Sequence, residues 1–122
     1  AQEQRLERTR ATLLALWKGG GTIASGTDAG LPPYGPSLHN ELEQLVLAGL
    51  TPFDALQTAT VHTTRLLNVA NDLGTIEVGK LADMVIVDGD PLVDIKHARR
   101  VHQVIRNGEV LPLDVLLRQP ER

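Results

Sequence analysis

The chain has 122 residues, a net charge of −3 and no cysteine, so it fits one ordinary domain without a disulfide framework or a thiolate metal site. No apolar run approaches the ~20 residues of a membrane span, and the first residues lack the apolar core of a signal peptide, so we expect a soluble, cytoplasmic protein with no membrane partner. Residues 19–95 hold two basic side chains against ten acidic ones, and the chain has only three aromatic residues, which excludes nucleic acid as a partner.

The first predicted element is an amphipathic helix. Four apolar residues recur at near-helical spacing among charged ones: Leu6, Leu13, Leu14 and Trp17. Three glycines at 19–21 end the pattern, and they lack the Walker spacing of a phosphate loop, so they predict a helix C-cap and a tight turn. Because the chain opens at Ala1 in helix-like sequence without an initiator methionine, we expect it to be a piece of a longer protein.

A single carboxylate between glycines is the strongest candidate for chemistry. Residues 22–24 predict a short buried strand, and Gly26 and Gly30 allow sharp turns on either side of Asp28. An acid in this position lies at the rim of a sheet, where α/β proteins bind their ligands. Residues 31–36 contain three prolines and a glycine, which predict a stiff loop next to Asp28.

Two further helices are predicted after this loop. The first is expected to begin at an N-cap, Ser37, and to end at Gly49. The second is expected to begin at Thr51, with Asp54 in the capping-box position, and to continue to about Val69.

From about residue 70 the pattern changes to short β segments separated by turns. Strands are predicted at 75–78, 82–88, 101–106 and 109–111, and a short helix at 113–117. The pair Asn107-Gly108 predicts a two-residue hairpin turn between the last two strands. We therefore predict a boundary near residues 71 and 72.

The remaining histidines and acids show no metal-site spacing. His62, His97 and His102 are predicted to be surface or packing residues. The acids Asp83, Asp88 and Asp90 lack the spacing and the closing glutamate of an EF-hand, and we predict that they serve turns and strand edges.

Four separate motifs occur along the chain in the same order as in a known protein family. They are TDAG at 27–30, SLHNELEQLVLAGLTP at 37–52, ALQTAT at 55–60 and LGTIEVGKLADMVIVDGDP at 73–91. In these motifs the chain resembles the C-terminal portion of the metal-dependent amidohydrolase superfamily, and most closely its imidazolonepropionase-like and prolidase-like members.

The resemblance implies an α/β fold. Residues 22–27 would be the eighth and last strand of a (β/α)8 TIM-type barrel, and a small antiparallel β-sandwich would follow the helices. Residues 1–70 would then be the C-terminal end of the barrel, and residues 71–122 the sandwich subdomain. A complete barrel needs about 250 residues, so this chain would hold only part of one.

The resemblance also implies a metal-dependent hydrolase acting on carbon–nitrogen bonds in a small-molecule or dipeptide-like substrate. Asp28 would bind a divalent metal, with zinc as the expected ion, and would handle the proton of the attacking water. His39 would contact substrate, although a solvent-exposed residue at a helix start is an equally good interpretation. The family's His-x-His pair, its mid-barrel carboxylated lysine or glutamate and its two later histidines have no counterpart here, so we expect the chain alone to hold no metal and to be inactive.

Two other functions fit parts of the pattern. One is a non-catalytic packing or assembly module derived from an amidohydrolase. The other, a degenerate aspartic protease, is disfavoured because Ala29 occupies the position of a hydroxyl residue and the flanking chain is helical. The apolar helix faces are expected to pack on barrel elements absent from the chain, which favours a homo-oligomer. These faces carry Leu38, Leu42, Leu45, Leu56 and Leu66.

Overall fold

A computed structural model describes residues 2–28 and 34–118. The helices come first: α1 (Gln2–Lys18), α2 (Tyr34–Leu47), α3 (Pro52–Gln57), a π-helical turn (Thr58–His62) and α4 (Thr63–Leu66). The remaining elements are β1 (Met84–Val87), a 3-10 helix (Ile95–Arg99), β2 (Val101–Arg106), β3 (Glu109–Leu111) and α5 (Leu113–Leu116). Within the described ranges, no helix has both the length and the apolar character needed to cross a bilayer.

The predicted C-terminal end of α1 and the predicted start of α3 are confirmed by their hydrogen bonds. The amides of Gly19, Gly20 and Gly21 donate to carbonyls in the last turn of α1, so they cap the helix and are not free to bind a phosphate. At the start of α3, the hydroxyl of Thr51 accepts from the amide of Asp54 at 3.1 Å and donates to its carboxylate at 2.6 Å. This reciprocal pairing satisfies an amide that has no partner inside the helix.

The start of α2 differs from the prediction. The helix begins at Tyr34, so Pro36 and the predicted N-cap, Ser37, both lie within its first turns. A proline is tolerated there because first-turn amides have no intrahelical acceptor. Gly30 and residues 31–33 of the predicted stiff loop lie outside the described residues.

The hydrophobic core joins the first helices to the 3-10 helix. Its buried members are Leu42, Leu45, Leu50, Ala55 and Ile95. Leu14 and Trp17 of α1 pack against this cluster. Leu42 and Leu45 were expected to face missing barrel elements, and this is wrong: the chain covers both of them itself.

The sheet is antiparallel, with strand order β1-β2-β3. The hairpin prediction is confirmed, because Asn107 and Gly108 both have positive φ, 50° and 81°, and Arg106 pairs with Glu109. These three strands form a single layer, and no second layer of a sandwich is formed by the described part of the chain.

Four predicted elements are absent or shorter than expected. Residues 22–27 form no strand, and the sheet of the described residues, β1-β2-β3, does not include them. Residues 75–78 form no strand but pass from a bend into a turn, and Lys80 anchors this loop by donating to the carbonyl of Ala70 at 2.7 Å. The strand predicted at 82–88 is limited to β1, and the helix predicted to reach Val69 ends at Leu66.

Candidate active site

Asp28 lies at the end of a segment without regular secondary structure, residues 21–28, which we call the Asp28 segment. Its side chain is exposed, and its φ of 42° places the backbone in the left-handed region. Aspartate tolerates this conformation better than most residues, yet it still requires support from the surrounding structure.

Helical groups supply that support. The amide of Ser25 donates to the carbonyl of Thr58 at 3.0 Å. His62 donates from Nδ1 to the carbonyl of Ile23 at 2.9 Å, because a carbonyl can only accept. The amide of Gly26 donates to Glu41 Oε1 at 3.1 Å. Backbone groups that a barrel strand would pair with its neighbours are therefore paired here with α2 and with the turn after α3.

His39 lies on α2 and is half-buried. Burial lowers the pKa of its imidazole, the positive charge of Arg99 lowers it further, and Glu43 opposes the shift. Its Nδ1 is buried and has no hydrogen-bond partner among the described residues. His39 is therefore only partly exposed. Among the described residues, no hydrogen bond or ion pair joins it to Asp28.

The described residues do not fit a complete metal site. Nowhere in residues 2–28 and 34–118 do three histidine, aspartate or glutamate side chains come together in a way that could hold an ion. A catalytic zinc usually needs three protein ligands, so Asp28 could supply only one of them.

Asp83 and Asp90 serve turns, as predicted. Asp90 accepts from the amide of Leu92 at 2.8 Å, and Asp83 accepts from the amide of Asn107 at 2.6 Å. His62 is a packing residue as predicted, since its ring lies 5.7 Å from that of Trp17, centroid to centroid.

The sequence did not predict that Glu41, Thr58 and His62 hold the Asp28 segment. Glu41 and Thr58 lie within the motifs at 37–52 and 55–60, but neither motif predicts such a role for them. Thr58 is completely buried, which is uncommon for a hydroxyl residue. The sequence offers one signal: small and polar residues at 57–60 interrupt the apolar spacing of the predicted helix.

The model of the Amidohydrolase family matches residues 1–111. The chain belongs to the amidohydrolase family. Imidazolonepropionase from Shewanella frigidimarina (strain NCIMB 400) is 33% identical over 104 residues, which are 83% of this chain and 25% of that protein.

Solved structures agree with this assignment. A Xaa-Pro dipeptidase with bound methionine in its active site is 37% identical and superposes with a TM-score of 0.77, over 84% of this chain and 25% of its own. Molinate hydrolase is 26% identical with a TM-score of 0.81, over 89% of this chain and 27% of its own. The chain thus spans about a quarter of the length of the relatives it matches.

Proposed function

We propose that the chain is the C-terminal part of a metal-dependent amidohydrolase that hydrolyses a carbon–nitrogen bond in a small amide, cyclic amide or dipeptide-like substrate. The observation that carries this proposal is the family match over residues 1–111, which includes Asp28 and the helices that hold its segment. The names of the matched proteins, an imidazolonepropionase and a Xaa-Pro dipeptidase, fit this substrate class.

In the proposed enzyme, the Asp28 carboxylate accepts a proton from the attacking water and returns it to the departing nitrogen. An exposed carboxylate at the end of a firmly held segment suits this role, because general acid–base catalysis requires a group within hydrogen-bond reach of the reacting atoms. His39 is proposed to contact substrate as a neutral imidazole, in keeping with its lowered pKa.

The divalent metal of such an enzyme, with zinc as the expected ion, would have Asp28 as one donor only. The other donors would have to come from outside the described residues, because these residues form no cluster of three histidine, aspartate or glutamate side chains that could hold an ion. We therefore propose that the isolated chain is inactive. Turnover of a dipeptide or cyclic amide by the purified chain, abolished by a chelator, would contradict this.

A second candidate function is a non-catalytic packing or assembly module. The core favours it, because Ile95 and the α2 leucines close a hydrophobic cluster without help from further chain. A stoichiometric metal in the purified chain would contradict both interpretations, because neither includes a complete ligand set. The two are separated by the effect of Asp28→Asn on turnover of the full-length protein.

The decisive experiment compares Asp28→Asn with Asp72→Asn in the full-length enzyme. Asp28→Asn is expected to lower kcat by at least about 100-fold, as when a general acid–base group is lost. Asp72 is an exposed turn residue remote from the segment in sequence, and its substitution controls for the loss of one negative charge. Equal and near-wild-type turnover in both variants would show that Asp28 has only a structural role.

A further inference from the structure

Thr58 stands at the junction between the Asp28 segment and the helices. It is completely buried and begins the π-helical turn, Thr58–His62, that follows α3. Its carbonyl accepts from the amide of Ser25 at 3.0 Å, and its hydroxyl lies 2.5 Å from the hydroxyl of Ser25. One residue thus contacts both the backbone and the side chain of Ser25.

The direction of these hydrogen bonds follows from counting protons. The Thr58 hydroxyl has one proton, and it donates this to the carbonyl of Ala55 at 2.6 Å. It must therefore accept from the hydroxyl of Ser25. Thr63 adds a second hydroxyl, which donates to the carbonyl of Thr58 at 2.6 Å, with the carbonyl of Ser25 as a longer alternative at 3.5 Å.

The π-helical turn places these groups together. Short π turns interrupt the regular hydrogen-bond ladder of an α-helix and occur often at functional sites. Here the turn contributes the carbonyl of Thr58, which accepts from the amide of Ser25, and the imidazole of His62, which donates to the carbonyl of Ile23. Residues 23–25 precede Asp28 by only a few peptide units, so a shift of Ser25 displaces the carboxylate as well.

We propose that Thr58 is a positioning residue that fixes the backbone of the Asp28 segment through Ser25. It does not touch the reacting atoms. Its buried hydroxyl accepts from Ser25 while its carbonyl holds the Ser25 amide, and this double contact maintains the left-handed backbone at Asp28. The contact between Thr58 and Ser25 is independent of the proposed function, whereas the effect of Thr58 on catalysis rests on the proposed function.

The first test measures amide hydrogen exchange in the 122-residue chain by NMR. The measured quantity is the exchange rate of the residue 25 amide divided by that of Leu45, a core residue of α2, so that a general loss of stability cancels. Thr58→Val keeps the shape but loses the hydroxyl, and we expect the ratio to rise about 10-fold, the size expected when one partly buried hydrogen bond is lost.

Two variants serve as controls. Thr58→Ser keeps the hydroxyl and is expected to restore the wild-type ratio. Thr60→Val removes a comparable hydroxyl bond, 2.9 Å to the carbonyl of Leu56, but on the exposed side of the same turn, so the ratio should not change. A Thr58→Val ratio within about 2-fold of wild type, or an equal rise in Thr60→Val, would overturn the proposal, since a 10-fold effect is what the lost bond predicts.

If Thr58→Val fails to fold, Ser25→Ala tests the same contact from the other side. It removes the donor without touching the helix, and the residue 25 ratio should again rise about 10-fold. An unchanged ratio in Ser25→Ala would then refute the proposal.

The second test uses the full-length enzyme. Thr58→Val should lower kcat about 10-fold at nearly constant KM, and Thr58→Ser should restore it, because a misplaced catalytic group affects the transition state more than substrate binding. An equal loss in both variants would mean that the hydroxyl is not responsible. If Asp28→Asn leaves turnover intact, the proposed function fails, and the exchange ratio still decides the role of Thr58.

Discussion

Arg99 reaches from the 3-10 helix to Glu43 on α2, with its Nε 2.7 Å from Glu43 Oε1. The same guanidinium donates through Nη2 to the Asn40 side-chain oxygen at 2.6 Å. Ile95, four residues before Arg99, is buried in the core with the α2 leucines. The segment after residue 71 is therefore held on the helices by both an apolar and a polar contact.

Arg99→Ala is expected to lower the free energy of unfolding by about 0.5–1 kcal/mol, because the pair is partly shielded from water and has two acceptors. The Arg99 and Glu43 side chains are 38% and 23% exposed. The control is Arg118→Ala, whose partner is Asp114; these side chains are 74% and 69% exposed, so the loss should be barely measurable.

A double-mutant cycle with Glu43→Ala, followed by urea unfolding, measures the coupling between the two side chains. The coupling should shrink in high salt, as expected for a partly exposed ion pair. Additive single-mutant effects would show that the contact contributes nothing to stability.

Gly74 and Gly79 form a matched pair for testing backbone strain. Their φ angles are nearly equal, 98° and 94°, so alanine at either position pays a similar conformational penalty of about 1–2 kcal/mol. A Cβ at Gly74 would also collide with the side chain of Thr64, whereas a Cβ at Gly79 would meet nothing within 4 Å.

We therefore expect Gly74→Ala to lower the free energy of unfolding by at least about 1 kcal/mol more than Gly79→Ala, since overpacking typically costs 1–3 kcal/mol. Thermal and urea unfolding of both variants provide the measurement. Equal losses would mean that Thr64 moves aside without cost.

The elements that the sequence predicted well are those determined by neighbouring residues. Thr51 meets Asp54 three positions away, and Asn107-Gly108 turns the chain by its own backbone preference. Residues 22–27 and 75–78 have strand-like composition but no strand partner among the residues that the structure describes. Strand formation depends on such a partner, so composition alone was misleading at both places.

The candidate site likewise has one part that the sequence predicts and another that it does not. Asp28 could be singled out because it follows an apolar run between glycines and lies in a recognisable motif. Its supports could not be predicted, because Thr58 contacts Ser25 across 33 residues and Glu41 contacts Gly26 across 15. A threonine in an amphipathic helix looks like a small packing residue until the tertiary contact is known.

The lowered pKa of His39 makes the stability of the fold depend on pH. The folded state binds the proton less readily than the unfolded chain, whose histidine pKa is about 6.5. Stability conferred by the neutral imidazole is therefore fully present above that pH and is lost as the pH falls through 6.5 toward the lower folded-state value.

His39→Gln should remove this dependence, so the difference in unfolding free energy between wild type and variant should change between pH 7.5 and pH 5.5, about one unit on either side of the unfolded pKa. Arg99→Ala removes the second cause of the shift and should leave a smaller slope, because burial of His39 remains. Parallel stability curves for wild type and His39→Gln would contradict the assignment.

Exposed apolar side chains in the second half of the chain predict self-association. Ile76, Val78 and Val93 are almost fully exposed, at 85%, 108% and 78%. Strand β1 pairs only with β2, so its other edge is open within the described sheet, and its residues Val85 and Ile86 are exposed as well. An open apolar strand edge is a template for pairing with another chain.

We expect the purified chain to form a dimer or larger oligomer through this edge at micromolar concentration. Val85→Lys should weaken the association by at least about 10-fold, because a charge on an edge strand opposes pairing. Val115→Lys, at a similarly exposed valine on α5, is the matched control and should have little effect. Light scattering measures both, and a monodisperse wild-type monomer of 13.2 kDa with cooperative unfolding would show that the edge needs no partner.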